Sequence, residues 1–562
     1  MTRFPTPVLP LLVLAALTGC SDGSGPGPEP VVSCDQVEPT ALAPGALALV
    51  DAARIACVRL PEAGAEGADY LYLAYSAAGE ETRGGTSVDY LLTAATGGPP
   101  PPAAARPSGR GASAPVSSVR RFHDRLRTQG QELARDRRVP RASARVAPLA
   151  LAVPPVLGQQ RTFNVLRSAE ATGTKPADFV QVKSTARYVG SHIAIFVDDS
   201  APASGGYTQG DLGEIGGLFD DHLHPLGVSA FGAETDVNGD GVVLVLLTDR
   251  VTRLAGCAGG QVVVGLFFAV DLFRNLVGSN NAEIFYGLVP DEACGVDRDR
   301  AIELLPSVFI HEFQHMINYG QHVIQRSGDA EDTWLDEGLS GFAEELGGRL
   351  VPDDRCVNAD CLTQFHAGNL INAYDYLAVV GDAALIGPRR PPLPLTQYGA
   401  TWLFVRWAAD HFATEQPLGT DLTRSLVQTT RTGAENVAAA TDTPFDRLIG
   451  EWQLANYLEG HPEPGDLAAG TRLEYTSWSL GDVFAAFHQE DPERFPRAYP
   501  LEADVFDGAD YHRTGTLRAG SGQHLTVHQP AAESVDLRLT SPDGTTALPA
   551  GAVPRAAILR LR

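Results

Sequence analysis

Residues 311–346 read HEFQHMINYGQHVIQRSGDAEDTWLDEGLSGFAEEL. On an α-helix, residues four apart lie one above the other on one face, so His311 and His315 can offer two imidazole nitrogens to a single point. Zinc takes nitrogen at about 2.0–2.1 Å, needs a third protein ligand and, in a catalytic site, keeps its fourth position for water. Glu312 then sits beside that water. A bound zinc lowers the pKa of the water to about 7, and an adjacent carboxylate can accept its proton as a carbonyl is attacked. Phe309, Phe313, Met316 and Ile317 would bury the helix, with Pro306 expected to open it and Gly320 to cap it.

The third ligand has to come from further along the chain. A metzincin pattern would need glycine at position 318 and histidine at 321, but the chain has Asn318 and Gln321, with His322 one place out of register. Its only methionines are Met1 and Met316, so no downstream Met-turn exists. There remains a second apolar-periodic segment, Trp334-Leu335-Asp336-Glu337-Gly338-Leu339-Ser340, continuing through Phe342 and Leu346. It places Glu337 in the first turn of a helix that faces back at the two imidazoles.

HEFQHMIN followed by WLDEGLSGFAEEL resembles the gluzincin clan of zinc peptidases, and within it the hyicolysin-type secreted bacterial metallopeptidases. The resemblance covers about residues 280–415. It implies Zn2+ held by His311, His315 and Glu337, with Glu312 as general base. The WLxEG segment is also similar to gluzincin aminopeptidases, whose GxMEN companion motif has no counterpart here because no methionine stands in such a context. An endopeptidase is therefore expected over an aminopeptidase. The thermolysin-like branch has an aspartate four residues after its glutamate ligand; Gly341 stands there, which leaves the group orienting a histidine unidentified. Tyr398, in QYGATWLFVRWAADHF, is the candidate donor to a developing oxyanion, with Tyr374 and Tyr376 as weaker choices.

The start of the chain reads as an export signal, residues 1–20, with an apolar run from Val8 to Leu17 too short to span a bilayer. Its end, Leu17-Thr18-Gly19-Cys20, resembles a bacterial lipobox, which makes Cys20 the expected lipid anchor and the only link to a membrane. The protein is thus expected to be exported, as a cell-envelope lipoprotein or extracellular. Setting Cys20 aside leaves six of the seven cysteines, and short separations favour the pairs Cys34–Cys57, Cys257–Cys294 and Cys356–Cys361.

The expected fold class is α+β: a gluzincin-like catalytic domain of mixed sheet and helices over residues 158–460, flanked by small β-rich domains at 34–96 and 511–562. A tether covers 21–33, and a connecting region covers 461–510. Within the catalytic domain HIAIFVDD, VVLVLLTD and QVVVGLFFAV read as buried strands, and AEIFYGLVP as an edge strand able to pair with an extended peptide. Residues 97–157 form a Pro- and Arg-rich linker. Its part from 106 to 146 carries eleven arginines against three acidic residues. There Val119, Phe122, Leu126 and Leu133 recur at helical spacing after Ser117 and Ser118, so a short amphipathic helix is expected, on a flexible arm or within a pro-segment.

A formal charge of −25 excludes nucleic acid as a partner, since no basic footprint serves the phosphates. A protein or peptide substrate is the expected partner. Asp236-Val-Asn-Gly-Asp-Gly matches the front of a calcium loop, but Leu247 at the twelfth position cannot supply the bidentate carboxylate, so Ca2+ is a weak expectation beside a tight turn. Two further function classes remain open: a catalytically silent surface-binding protein on the same fold, and a zinc aminopeptidase.

Overall fold

The computed structural model describes residues 33–96, 118–136 and 153–562, apart from 83, 203, 258–261, 357–359, 388–393, 417, 462–466 and 469. The export segment and Cys20 lie outside the described residues. Among those described, no helix is long and apolar enough to cross a membrane.

A six-stranded mixed sheet supports the site. In spatial order its strands are Gln160–Leu166, Phe179–Val189, Ile193–Asp198, Val243–Leu247, Ile284–Gly287 and Gly265–Phe267. Ile193–Asp198, Val243–Leu247 and Ile284–Gly287 run parallel, and every residue of Val243–Leu247 is buried. Burial on both faces is why these strands are unbroken apolar runs rather than alternating ones. Two expectations need correction here. Of QVVVGLFFAV only Gly265–Phe267 is strand, and it forms the sheet edge by pairing antiparallel to Ile284–Gly287. The AEIFYGLVP strand is therefore interior, with both its sides already paired.

The ends of the chain meet. Strands from the N-terminal segment, Leu47–Val50 and Ala68–Ser76, share a five-stranded sheet with Pro554–Arg560, Gly522–Gln529 and Asp504–Phe506. Ser87–Thr96 and Val58–Leu60 lie in a four-stranded sheet with Tyr511–Arg518 and Val535–Thr540. Tyr72, Leu92, Leu525, Leu537 and Ile558 fill one core between the two sheets. In place of two flanking β domains there is one sandwich, because no two of the N-terminal strands are neighbours and each is hydrogen-bonded to strands from the C-terminal segment. It packs on the helical region, where Tyr75 donates to the Asp446 carbonyl at 2.9 Å and Arg555 pairs with the Asp446 carboxylate at 3.0 Å.

The motif helix runs Arg298–Tyr319, started by Asp297, whose side chain accepts from the Arg300 N–H at 2.8 Å. Pro306 therefore lies inside the helix instead of opening it; lacking an N–H, it leaves one carbonyl a turn earlier without its helical partner. Gly320 is no left-handed cap either. Its φ is −58°, and the chain winds on as a wide turn over Gly320–Gln325. Thr235 presses on it, since a Cβ there would lie 3.2 Å from Thr235 Cγ2. The second helix spans Thr333–Leu350, and a third, Ser118–Arg135, falls within the linker as its periodicity predicts. The three disulfides are Cys34–Cys57, Cys257–Cys294 and Cys356–Cys361, the pairs expected from their short separations.

Candidate metal centre

His311 and His315 stand one turn apart on the Arg298–Tyr319 helix, and their Nε2 atoms are 3.1 Å from each other. Each Nε2 is 3.6 Å from Glu337 Oε2, which arrives from the Thr333–Leu350 helix. The ligand atoms of these three residues all fall within 4.8 Å of one another. Glu337 sits at the fifth position of its helix, one residue past the first turn in which the sequence places it.

Both imidazoles are held from behind. Glu344 Oε1 lies 2.6 Å from His311 Nδ1, and Asp336 Oδ2 lies 2.9 Å from His315 Nδ1. Asn369 donates to the free oxygen of Glu344 at 3.1 Å and Asn318 to that of Asp336 at 2.5 Å. A carboxylate at Nδ1 fixes ring orientation and leaves the Nε2 lone pair for a metal. Neither carboxylate was identified from the sequence. The signal for Glu344 was its spacing, seven residues beyond Glu337 and so two turns on along nearly the same face; Asp336 was visible only as the neighbour of a ligand.

Electrostatics agree with a site that attracts cations. Burial raises the Glu337 carboxyl, but Arg127 and the two imidazoles outweigh it and hold the group well below the usual carboxylate range. Burial and Arg127 depress His315, while Asp336 and Glu337 overcome them and lift it to about 9. Two convergent nitrogens and an ionised carboxylate suit zinc. Glu312, on the same helix, is only 3% exposed, and its Oε2 has no hydrogen-bond partner among the described residues. The edge strand passes over it: a Cβ on Gly265 would lie 3.5 Å from Glu312 Cγ.

Tyr398 lies in the Leu395–Phe412 helix, where burial and the nearby charge of Glu337 hold its phenol well above the ordinary value and so protonated. Tyr374 and Tyr376 do not reach this site. Tyr374 donates to the Arg497 carbonyl at 2.9 Å, and Tyr376 stacks on Trp452 while accepting from Gln453. The Asp236 loop is a turn: its Oδ1 accepts from the N–H groups of Gly239 and Gly241, both at positive φ, and no calcium cluster forms there among the described residues.

Arg127, from the Ser118–Arg135 helix, enters the site unforeseen by the sequence reading. Its Nε is 3.0 Å from Glu337 Oε1 and 3.7 Å from Asp336, and its Nη2 is 3.9 Å from Glu312 Oε2.

No protein-family model matches the chain. It is 28% identical over 186 residues to the neutral metalloprotease ShpI of Staphylococcus hyicus, which covers 33% of this chain and 40% of that protein. The chain thus spans well under half the length of that curated relative. Among solved structures, an M1 zinc metallopeptidase from Deinococcus radiodurans is 14% identical with a TM-score of 0.28, covering 52% of this chain and 51% of the other. A Glu-to-Ala mutant of that metallopeptidase aligns with a TM-score of 0.29 at the same identity, covering 52% of each chain. Over a third of its length the chain is therefore similar to a bacterial neutral metalloprotease, and it brings His311, His315 and Glu337 together as a candidate metal centre.

Proposed function

We propose that the chain is an exported zinc-dependent endopeptidase in which His311, His315 and Glu337 hold the metal and Glu312 is the general base. The observation that carries this reading is the convergence of three donor atoms within 4.8 Å, with both imidazoles oriented by carboxylates at their far nitrogens. Zinc held there would supply Lewis acidity and a water of pKa about 7.

The protein's own groups supply the rest. Glu312 accepts the proton of the attacking water and passes it towards the leaving amine, a role suited to a buried carboxylate oxygen that accepts no hydrogen bond among the described residues. Tyr398 donates its phenolic hydrogen to the oxyanion, for which its raised pKa keeps the proton in place. The free edge of Gly265–Phe267 aligns an extended substrate by main-chain pairing across Glu312. Three disulfides support passage through an oxidising compartment, and a lipid on Cys20 would tether the product to the cell envelope.

Casein hydrolysis with and without a chelator, alongside Glu312→Gln, tests the enzyme reading; activity that survives both would end it. Peptides with a blocked amine separate the two peptidase types, since an aminopeptidase leaves them intact. Metal analysis of the purified protein should find about one zinc per chain.

A further inference from the structure

The Ser118–Arg135 helix packs against the candidate metal centre, with Arg127 beside Glu312, Asp336 and Glu337. Its apolar face is anchored: Phe122 and Leu126 are buried in a core shared with Phe268 and Val270, beside the sheet's free edge. Tyr319 donates to the Gly130 carbonyl at 3.1 Å, and Gln131 reaches the Glu331 carbonyl at 3.3 Å and Thr333 Oγ1 at 3.2 Å, at the start of the helix that carries Glu337. Arg120 and Asp124 come within electrostatic reach of Tyr398. The half-buried His123 lies near Glu312 and His311. One helix therefore faces the proposed base, a metal donor and the proposed oxyanion donor together.

Arg127 makes this arrangement specific. It pairs with Glu337 Oε1, the oxygen not shared between the imidazoles, and approaches the proposed base at Glu312 Oε2. Its side chain is 9% exposed, so its charge is desolvated and depends on these carboxylates. A merely structural helix could have covered the edge strand with apolar residues alone. This one places a cation on the catalytic carboxylates while leaving Glu337 Oε2 facing the imidazoles.

We propose that the surface made by Glu312, Asp336, Glu337 and the edge strand is a docking face for the chain's own Ser118–Arg135 helix. Seated there through Arg127, the helix is an internal plug that holds the site shut against peptide until it is displaced. This rests on the endopeptidase reading for its consequence, though not for its geometry.

The test uses the full chain loaded with zinc, with retention of residues 118–135 verified by mass. A Cβ at Gly130 would lie 3.6 Å from Ala269 Cβ, within the span of a disulfide, so Gly130→Cys with Ala269→Cys can lock the helix down. The locked protein should lose casein hydrolysis at least about tenfold relative to the same protein after mild reduction, and Arg127→Ala should exceed the unmodified chain by a similar factor. Equal hydrolysis by locked and reduced protein would overturn the plug. The rate at which a chelator strips zinc is the second readout: Arg127→Ala should lose its metal at least about fivefold faster than the parent, and equal rates would also overturn the plug. If no form cleaves casein yet stripping accelerates in Arg127→Ala, the plug stands and the endopeptidase reading fails.

Discussion

The backbone N–H of Trp334 donates to Glu81 Oε1 at 3.2 Å, so a carboxylate from the β sandwich caps the helix that carries Glu337. That helix has no cap of its own, since Asp332 at its N-cap makes no side-chain cap bond. A negative charge at a helix N-terminus also meets the favourable end of the macrodipole. The sandwich is thereby coupled to the metal centre through one residue. Glu81→Ala should cost about 1–2 kcal/mol of stability, the upper range for a lost cap, because Glu81 is buried. Calorimetry would register this as a lower Tm, with zinc affinity weakened in the same variant.

The two carboxylates behind the imidazoles make a sharper prediction. Glu344→Ala and Asp336→Ala leave all three proposed ligands intact but free one ring each to turn. Each substitution should weaken zinc binding by about 10–100-fold, as measured by competition with a chromogenic chelator. Glu344→Gln, which can still accept a hydrogen bond from His311 Nδ1, should lose less. Unchanged affinity in both alanine variants would mean that the rings are held by packing alone.

What the sequence revealed of this site followed from local periodicity. The i, i+4 histidines and the second helix with Glu337 are short-range patterns, and helix geometry turns them into a cluster with little help from the rest of the fold. The disulfides were legible for the same reason, each closing a short loop. The sandwich was not. Val88 pairs with Leu517 and Tyr72 with Ile558, and strands so far apart in sequence leave no local trace of their partner. Alternation shows that a strand has two unlike faces, not which strand lies beside it. Arg127 was hidden differently, as one arginine in a run whose composition suggested an exposed arm. Pro306 misled because proline is far commoner in a first turn than in a helix interior.

Acid should destabilise the fold through buried histidines. His366 is fully buried between Trp402 and Trp478, neither ring nitrogen has a hydrogen-bond partner among the described residues, and burial pushes its pKa down to about 4. Between an unfolded value of about 6.5 and that folded value the unfolded chain binds the extra proton, so stability present above pH 6.5 is lost as the pH falls towards 4. The loss amounts to about 3 kcal/mol for this one residue. Burial depresses His322 and His524 to about 4 as well. His366→Leu should hold its stability at pH 7, since it replaces unpaired buried nitrogens with carbon, and should lose less than the parent on acidification in urea titrations at pH 7 and pH 4.5.

Asp271 works in the opposite direction. Burial lifts its carboxyl to about 7, against hydrogen bonds from the Tyr286 hydroxyl at 2.6 Å and the Asn280 N–H at 2.7 Å that favour the ionised form. The folded state therefore keeps a proton that the unfolded chain sheds near 3.8, and stability present below that value drains away as the pH rises through 7. Glu283 is raised to about 7 by the same burial, and its shift adds to the slope. Asp271→Asn can still accept from the Asn280 N–H but has no charge to expose. It should match the parent near pH 4 and exceed it by about 2–4 kcal/mol at pH 8, flattening the alkaline side of the stability profile while leaving the acid side to the histidines. Equal stability of the two proteins at pH 8 would mean that Asp271 is ionised in the native state and that its hydrogen bonds outweigh its burial.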